Sequence, residues 1–169
     1  MNVGPLSWLA VLQLSTEFGV DVPGYVGLTG TAVGAFLSTL VVGAILVAVA
    51  PAYTERKIAT LLEEPVGSFI YGFVSLGLLV LVIFVLVLTI VGIVVALPLV
   101  LVAYVVWVVG ASIAYLAIGA RLVGREDGWT KPLFAGAAIN GVLTLTGIGG
   151  LVTFAIGAAG FGAVLRDYL

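Results

Sequence analysis

From Val66 to Ile118 the chain carries no charged residue, and the charges on either side of that run come in tight clusters. A single helix over the run would be about 80 Å long at 1.5 Å per residue, against a hydrocarbon core of about 30 Å. The run must therefore fold back on itself. Composition says in what solvent: of 169 residues 63% are hydrophobic and 8% charged, and the mean hydropathy is +1.36. Soluble domains carry about 25% charged residues, and so few charges cannot cover a surface of this size. The sequence is that of an all-α integral membrane protein.

The clusters divide the chain into about five transmembrane helices. The first span, about 32–50, ends at Pro51, where "YTERKIATLLEEP" begins. At helical spacing Thr54, Ile58, Leu61 and Leu62 share a face while Arg56 and Glu63 point elsewhere. This predicts a short interfacial amphipathic helix over about 52–64, framed by Pro51 and Pro65; a solvated loop is the other reading of so short a segment. Further spans occupy about 67–88, 93–118, 132–145 and 148–165, with Thr130 as the N-cap ahead of Pro132. The last two are short and glycine-rich, which leaves open a thin, tilted or re-entrant hairpin. Residues 1–31, with Glu17 and Asp21 and without the basic n-region of a signal peptide, form an external, partly interfacial segment. Residues 32–169 form a single polytopic membrane domain.

Two turns are expected inside the apolar sequence. "VLTIVGI" from Val87 and "VLTLTGI" from Val142 repeat one signature, so the candidate turn residues are Thr89, Gly92, Thr144 and Gly147. Each copy follows a basic and acidic cluster that ends at a proline, giving one span followed by two repeated helical hairpins. Chance similarity between two Val-, Leu- and Gly-rich segments is the competing explanation. A threonine hydroxyl at such a turn can satisfy backbone groups freed below the membrane surface.

Charge sets the orientation. All six basic residues, Arg56, Lys57, Arg121, Arg125, Lys131 and Arg166, fall in segments that five spans put on one face. By the positive-inside rule that face is cytoplasmic, so a plasma-membrane protein with its N-terminus outside and C-terminus inside is expected. Tyr53, Tyr71, Trp129 and Tyr168 sit near the inner boundary, as an aromatic belt would. The basic residues Arg56, Lys57, Arg121, Arg125 and Lys131 are the candidates for cytoplasmic docking.

Several chemistries are excluded. There is no Cys and no His, hence no thiolate or imidazole ligand, no Cys nucleophile and no Ser-His pair. No cofactor or metal site is expected, and a net charge of −2 argues against nucleic acid. "TGIGG" lacks the spacing and strand context of a dinucleotide fingerprint. Glu63, Glu64, Glu126 and Asp127 are better read as solvated loop charges than as an acid-base pair. No Asp, Glu, Lys or Arg falls in a span, which weighs against ion-coupled transport. Asn140 is the candidate intramembrane polar contact; with Ser75, Ser112, Thr144 and Thr153 it could line a path, although packing between helices is the commoner role. Small residues four apart, Gly30 with Gly34, Ser68 with Gly72 and Ala158 with Gly162, let helices approach closely, within one chain or between copies in a homo-oligomer.

The order "TERKIATLLEEPVGSFIYG", "LTIVGIVVALPLVLVAYVVWVVG", "YLAIGARL" and "LTLTGIGGLVTFAIGAAGFGAVL" resembles a group of uncharacterised small haloarchaeal membrane proteins. It is also similar to the multi-helix membrane domain that follows bactofilin-type, polymer-forming cytoskeletal domains. The resemblance covers roughly Pro51 to Leu165. It rests on Leu88-Thr89-Ile90-Val91-Gly92-Ile93 and on the Gly119 to Leu122 exit; Val94 stands where the bacterial pattern has proline, and no β-repeat domain is present. It implies a non-enzymatic membrane scaffold or anchor for a cytoplasmic or cytoskeletal partner. A small channel or passive transporter acting as an oligomer is the alternative.

Overall fold

The computed structural model describes residues 24–126, 128–146 and 148–166. Glu17, Asp21, Asp127, Gly147 and Tyr168 lie outside the described residues. The described residues form six helices and no strand: α1 Gly24–Val49, α2 Pro51–Glu63, α3 Pro65–Val87, α4 Ile90–Val123, α5 Thr130–Thr144 and α6 Gly149–Leu165.

Prolines and glycines set the boundaries. Pro51 and Pro65 each occupy the first position of a helix, where the missing N–H costs nothing. The residues before them, Ala50 and Glu64, are pushed out of helical geometry by the pyrrolidine ring and separate α1, α2 and α3. The amphipathic segment is thus a helix of 13 residues, one residue ahead of its expected bounds. Gly124, at φ +73°, ends α4 in a conformation that side-chain-bearing residues rarely adopt. α4 runs further than expected at both ends, through Pro98, reaching 34 residues or about 51 Å. α1 begins at Gly24 rather than near 32, because the uncharged "GYVGLTG" continues the helix. Thr130 is not a cap: it is the first helical residue of α5, Trp129 precedes it without a side-chain cap bond, and Pro132 sits in the first turn as expected.

α4 is the centre of the bundle. It packs on α5 and α6, α1 packs on the far side of α5, and α3 on the far side of α6. Ile113 to Ala117 are buried in succession, so this part of α4 is enclosed on all sides. By contrast the large side chains of α1, α3 and the first half of α4 are exposed, among them Leu78, Phe84, Ile90 and Leu101. An apolar exterior of this extent is the surface expected against lipid. Three helices, α1, α3 and α4, are long and apolar enough to cross a membrane; α5 and α6, at 15 and 17 residues, are about 22 and 25 Å long.

Glycines bring the axes together. A Cβ on Gly72 would strike the Ala158 carbonyl, and one on Gly162 would strike that of Ser68. The small pairs on α3 and α6 therefore face each other within one chain. Gly110 and Gly160 make the same kind of crossing between α4 and α6, and Gly119 and Gly136 lie against α5 and α4 backbone. With no hydrophobic drive between helices in lipid, such backbone approach is a principal source of helix association. Gly30 and Gly34, however, have no atom within 4 Å of where a Cβ would stand.

Candidate functional site

Every described charged residue lies at one end of the bundle, built from α2, the start of α3, the last turns of α4, the start of α5 and the C-terminus of α6. α2 lies across that end and contributes Ile58 and Leu61 to a core shared with Ala114, Ala117, Ala163 and Val164. Its buried face carries Thr54, Ile58 and Leu61 as expected, with Leu62 partly buried.

Lys57 corrects the sequence reading. It is fully buried, and its Nζ donates to the Ala163 and Val164 carbonyl oxygens at 2.7 and 3.1 Å, with the Tyr53 ring 5.7 Å away. Those carbonyls belong to the last turn of α6, where the helix has no internal donors and the macrodipole is negative. Lys57 is a tie between α2 and α6 and is not available for docking. Its charge alone suggested a solvated position; only the tertiary fold supplies the acceptors.

Of the other docking candidates, Arg125 reaches Glu55 at 3.2 Å and lies 4.2 Å above the Trp129 ring, fastening the loop after α4 to α2. Arg166 pairs with Glu64, joining the end of α6 to the α2–α3 elbow. Arg56, Arg121 and Lys131 are exposed on the same end. These side chains form a rim of charge around α2 and do not converge on a single point. Among the described residues no group of acidic side chains could hold a metal ion.

The polar residues within the helices do not line one path. Asn140 on α5 donates through Nδ2 to Thr39 Oγ1 at 2.8 Å and the Ala35 carbonyl at 3.2 Å, both on α1, while its Oδ1 has no partner. Thr144 returns its hydroxyl to the Asn140 carbonyl, and Ser75 faces an apolar groove between α3 and α4. Ser112 is buried on α4 and Thr153 is half-buried on α6. Asn140 thus acts between helices.

At the opposite end lie the two turns. Thr89 is the N-cap of α4: its Oγ1 accepts from Gly92 N at 2.9 Å, and its own N–H and hydroxyl both reach the Leu86 carbonyl. A Cβ on Gly92 would collide with that carbonyl. The second turn repeats the threonine-to-leucine part of this geometry, two residues later than the signature indicates, but not the cap: Gly149 N donates to the Thr146 carbonyl and α6 has no side-chain cap bond. Thr146 binds the Leu143 carbonyl through its N–H and hydroxyl, whereas Thr144 bonds the Asn140 carbonyl, and a Cβ on Gly149 would strike the Leu143 carbonyl; Gly147 lies outside the described residues. The structural repeat is Leu-x-Leu-Thr-x-x-Gly, from Leu86 and from Leu143. The longer match beginning at Val87 and Val142 had hidden it.

A family match covers nearly the whole of this architecture, residues 6–169. The chain belongs to the family described as Domain of unknown function (DUF8173). The DUF8173 match takes in the amphipathic α2, both turns and all the glycine crossings. No curated protein and no solved structure is significantly similar to this DUF8173 chain.

Proposed function

We propose that this protein is a non-enzymatic membrane scaffold whose charged end faces the cytoplasm and docks a cytoplasmic protein, a cytoskeletal one on the resemblance given above. The observation that carries the reading is the segregation of charge. Every described charged residue lies around α2 at one end, and the bundle behind it is apolar outside and closed by backbone contacts inside. A surface of this kind recognises a partner at the membrane and offers no polar route through it.

Helix lengths support a topology in which α1, α3 and α4 cross the plasma membrane completely, with the N-terminus outside. α4 and α6 run in the same direction and cross at Gly110 and Gly160. From that crossing α4 extends about 30 Å towards its N-terminus, whereas α6 extends about 17 Å. The α5–α6 turn then lies roughly 13 Å short of the level reached by Thr89. In this reading α5 and α6 form a hairpin that enters and leaves on the cytoplasmic side. Its turn satisfies its own backbone through Thr144, Thr146 and the Leu143 carbonyl, as an inset turn must.

Tagged protein isolated from its native membranes in mild detergent tests the scaffold role. A stoichiometric cytoplasmic companion identified by mass spectrometry, and lost from the Arg56→Gln, Arg125→Gln, Lys131→Gln triple variant, is the expected result. A homo-oligomer without any companion, conducting ions or small solutes in liposomes above an empty control, would overturn it in favour of a channel.

A further inference from the structure

Beside the α2–α3 elbow two shallow cavities adjoin each other. One, of about 370 Å³, is lined by apolar side chains of α2, α3, α4 and α6, including Phe69, Ala155 and Ala159. The other, of about 420 Å³, opens along the last turns of α4 and ends at Arg121. Leu61, Pro65 and Ile118 line both, so the two form one continuous groove. Apart from Arg121 its walls are apolar.

Arg121 is the basic residue that lines the groove, and it does so without an acidic partner among the described residues. Arg125 and Arg166 are paired with Glu55 and Glu64, and the Lys57 ammonium is hydrogen-bonded to the α6 carbonyls. Among the described residues Arg121 has no ion pair or side-chain hydrogen bond; Arg56 has none either, but it does not line the groove. The nearby acids do not serve it: Glu64 is engaged by Arg166, and Glu63 does not line the groove. The groove lies at the depth of α2, the amphipathic helix that marks the membrane interface in the topology proposed above.

We infer that the groove is a binding site for one anionic phospholipid, with an acyl chain along Leu61, Pro65, Phe69 and Ile118 and the phosphate on Arg121. The inference rests on the proposed membrane orientation. The occupant follows from complementarity, since a single guanidinium at the mouth of an apolar channel matches an amphiphile with an anionic head and a hydrocarbon tail. Arginine suits this place because its fork binds two phosphate oxygens while its stem lies along apolar surface.

Native mass spectrometry of the full chain, released from detergent with phosphatidylglycerol or with phosphatidylcholine of the same acyl chains, tests it. One retained phosphatidylglycerol is expected, weakened about fivefold in Arg121→Gln, the effect of one basic residue on an anionic lipid. Ala159→Leu, which narrows the apolar end, should reduce retention of both lipids. Arg56→Gln, exposed and not lining the groove, should leave retention unchanged. Equal retention by wild type and Arg121→Gln, equal loss in Arg56→Gln, or displacement by millimolar inorganic phosphate would overturn the site. The companion-protein experiment reads a different surface, so loss of the lipid with the companion retained sinks only this inference.

Discussion

Lys57 Nζ sits 2.7 Å from the carbonyl oxygen of Ala163, a residue more than a hundred positions later in the chain. The bond and its companion to Val164 close the C-terminus of α6 with a side chain from α2. Lys57→Met keeps the stem but removes the donor, leaving two buried carbonyls unpaired at a cost of about 1–3 kcal/mol. Unfolding of the purified protein in graded sodium dodecyl sulfate should shift to lower detergent. Arg56→Met, one residue away and exposed, should change stability by less than about 0.5 kcal/mol.

The crossings of α6 with α3 and α4 predict a contrast among glycines that sequence treats alike. Gly160→Ala would drive a methyl into the Gly110 backbone, and Gly162→Ala one into Ser68. Neither obstacle is a side chain that can rotate away, so the helices must separate, at about 1–3 kcal/mol each. Gly77 on α3 has nothing within 4 Å. Gly77→Ala should be neutral or stabilising by about 0.5–1 kcal/mol through helix propensity. The same detergent unfolding measurement separates the three variants.

The turns make a prediction that opposes the sequence match. Gly92→Ala and Gly149→Ala should both destabilise, because each new methyl meets a carbonyl, that of Leu86 or Leu143. Gly150→Ala, adjacent but open, should be tolerated. Thr89→Ala should cost about 1 kcal/mol as a lost N-cap. Equal effects at Gly149 and Gly150 would show that the second turn does not repeat the first.

These particulars mark what is legible in such a sequence. Charge clusters and prolines delimited most helix ends within a few residues, since in apolar sequence they are the main punctuation. The start of α1 at Gly24 and the end of α4 at Val123 fell eight and five residues outside the expected bounds. The amphipathic pattern of α2 identified its buried face, and Ser68, Gly72, Ala158 and Gly162 were recognisable as contact residues. That they meet one another was not, because small-residue spacing marks a face without naming its partner. Nor was the burial of Lys57, whose acceptors come from a distant helix end. The sequence places the second turn between the right residues, but the threonine that bonds a Leu carbonyl there is Thr146: in sequence rich in Val, Leu and Gly the longest match need not be the geometric one. In the proposed topology the levels at which the hairpins end depend on where α4 and α6 cross, and no local pattern encodes that crossing.

The proposed topology can be read directly, since the chain has no cysteine and every introduced one is a unique label. With membranes oriented in intact cells, Thr89→Cys should react with an impermeant maleimide from outside, and Gly124→Cys only after permeabilisation. Thr146→Cys decides the hairpin. If α5 and α6 cross completely, Thr146 reaches the outer surface and labels like Thr89. If the hairpin is inset by roughly 13 Å, as the Gly110–Gly160 crossing supports, hydrocarbon surrounds the thiol. A thiol there stays protonated and unreactive, because maleimide attacks the thiolate and a low-dielectric setting disfavours it. Protection of Thr146→Cys from both sides is therefore expected, with labelling restored once the protein is unfolded. External labelling at Thr146 would give five crossings, and reversed labelling at Thr89 and Gly124 would invert the protein in its membrane.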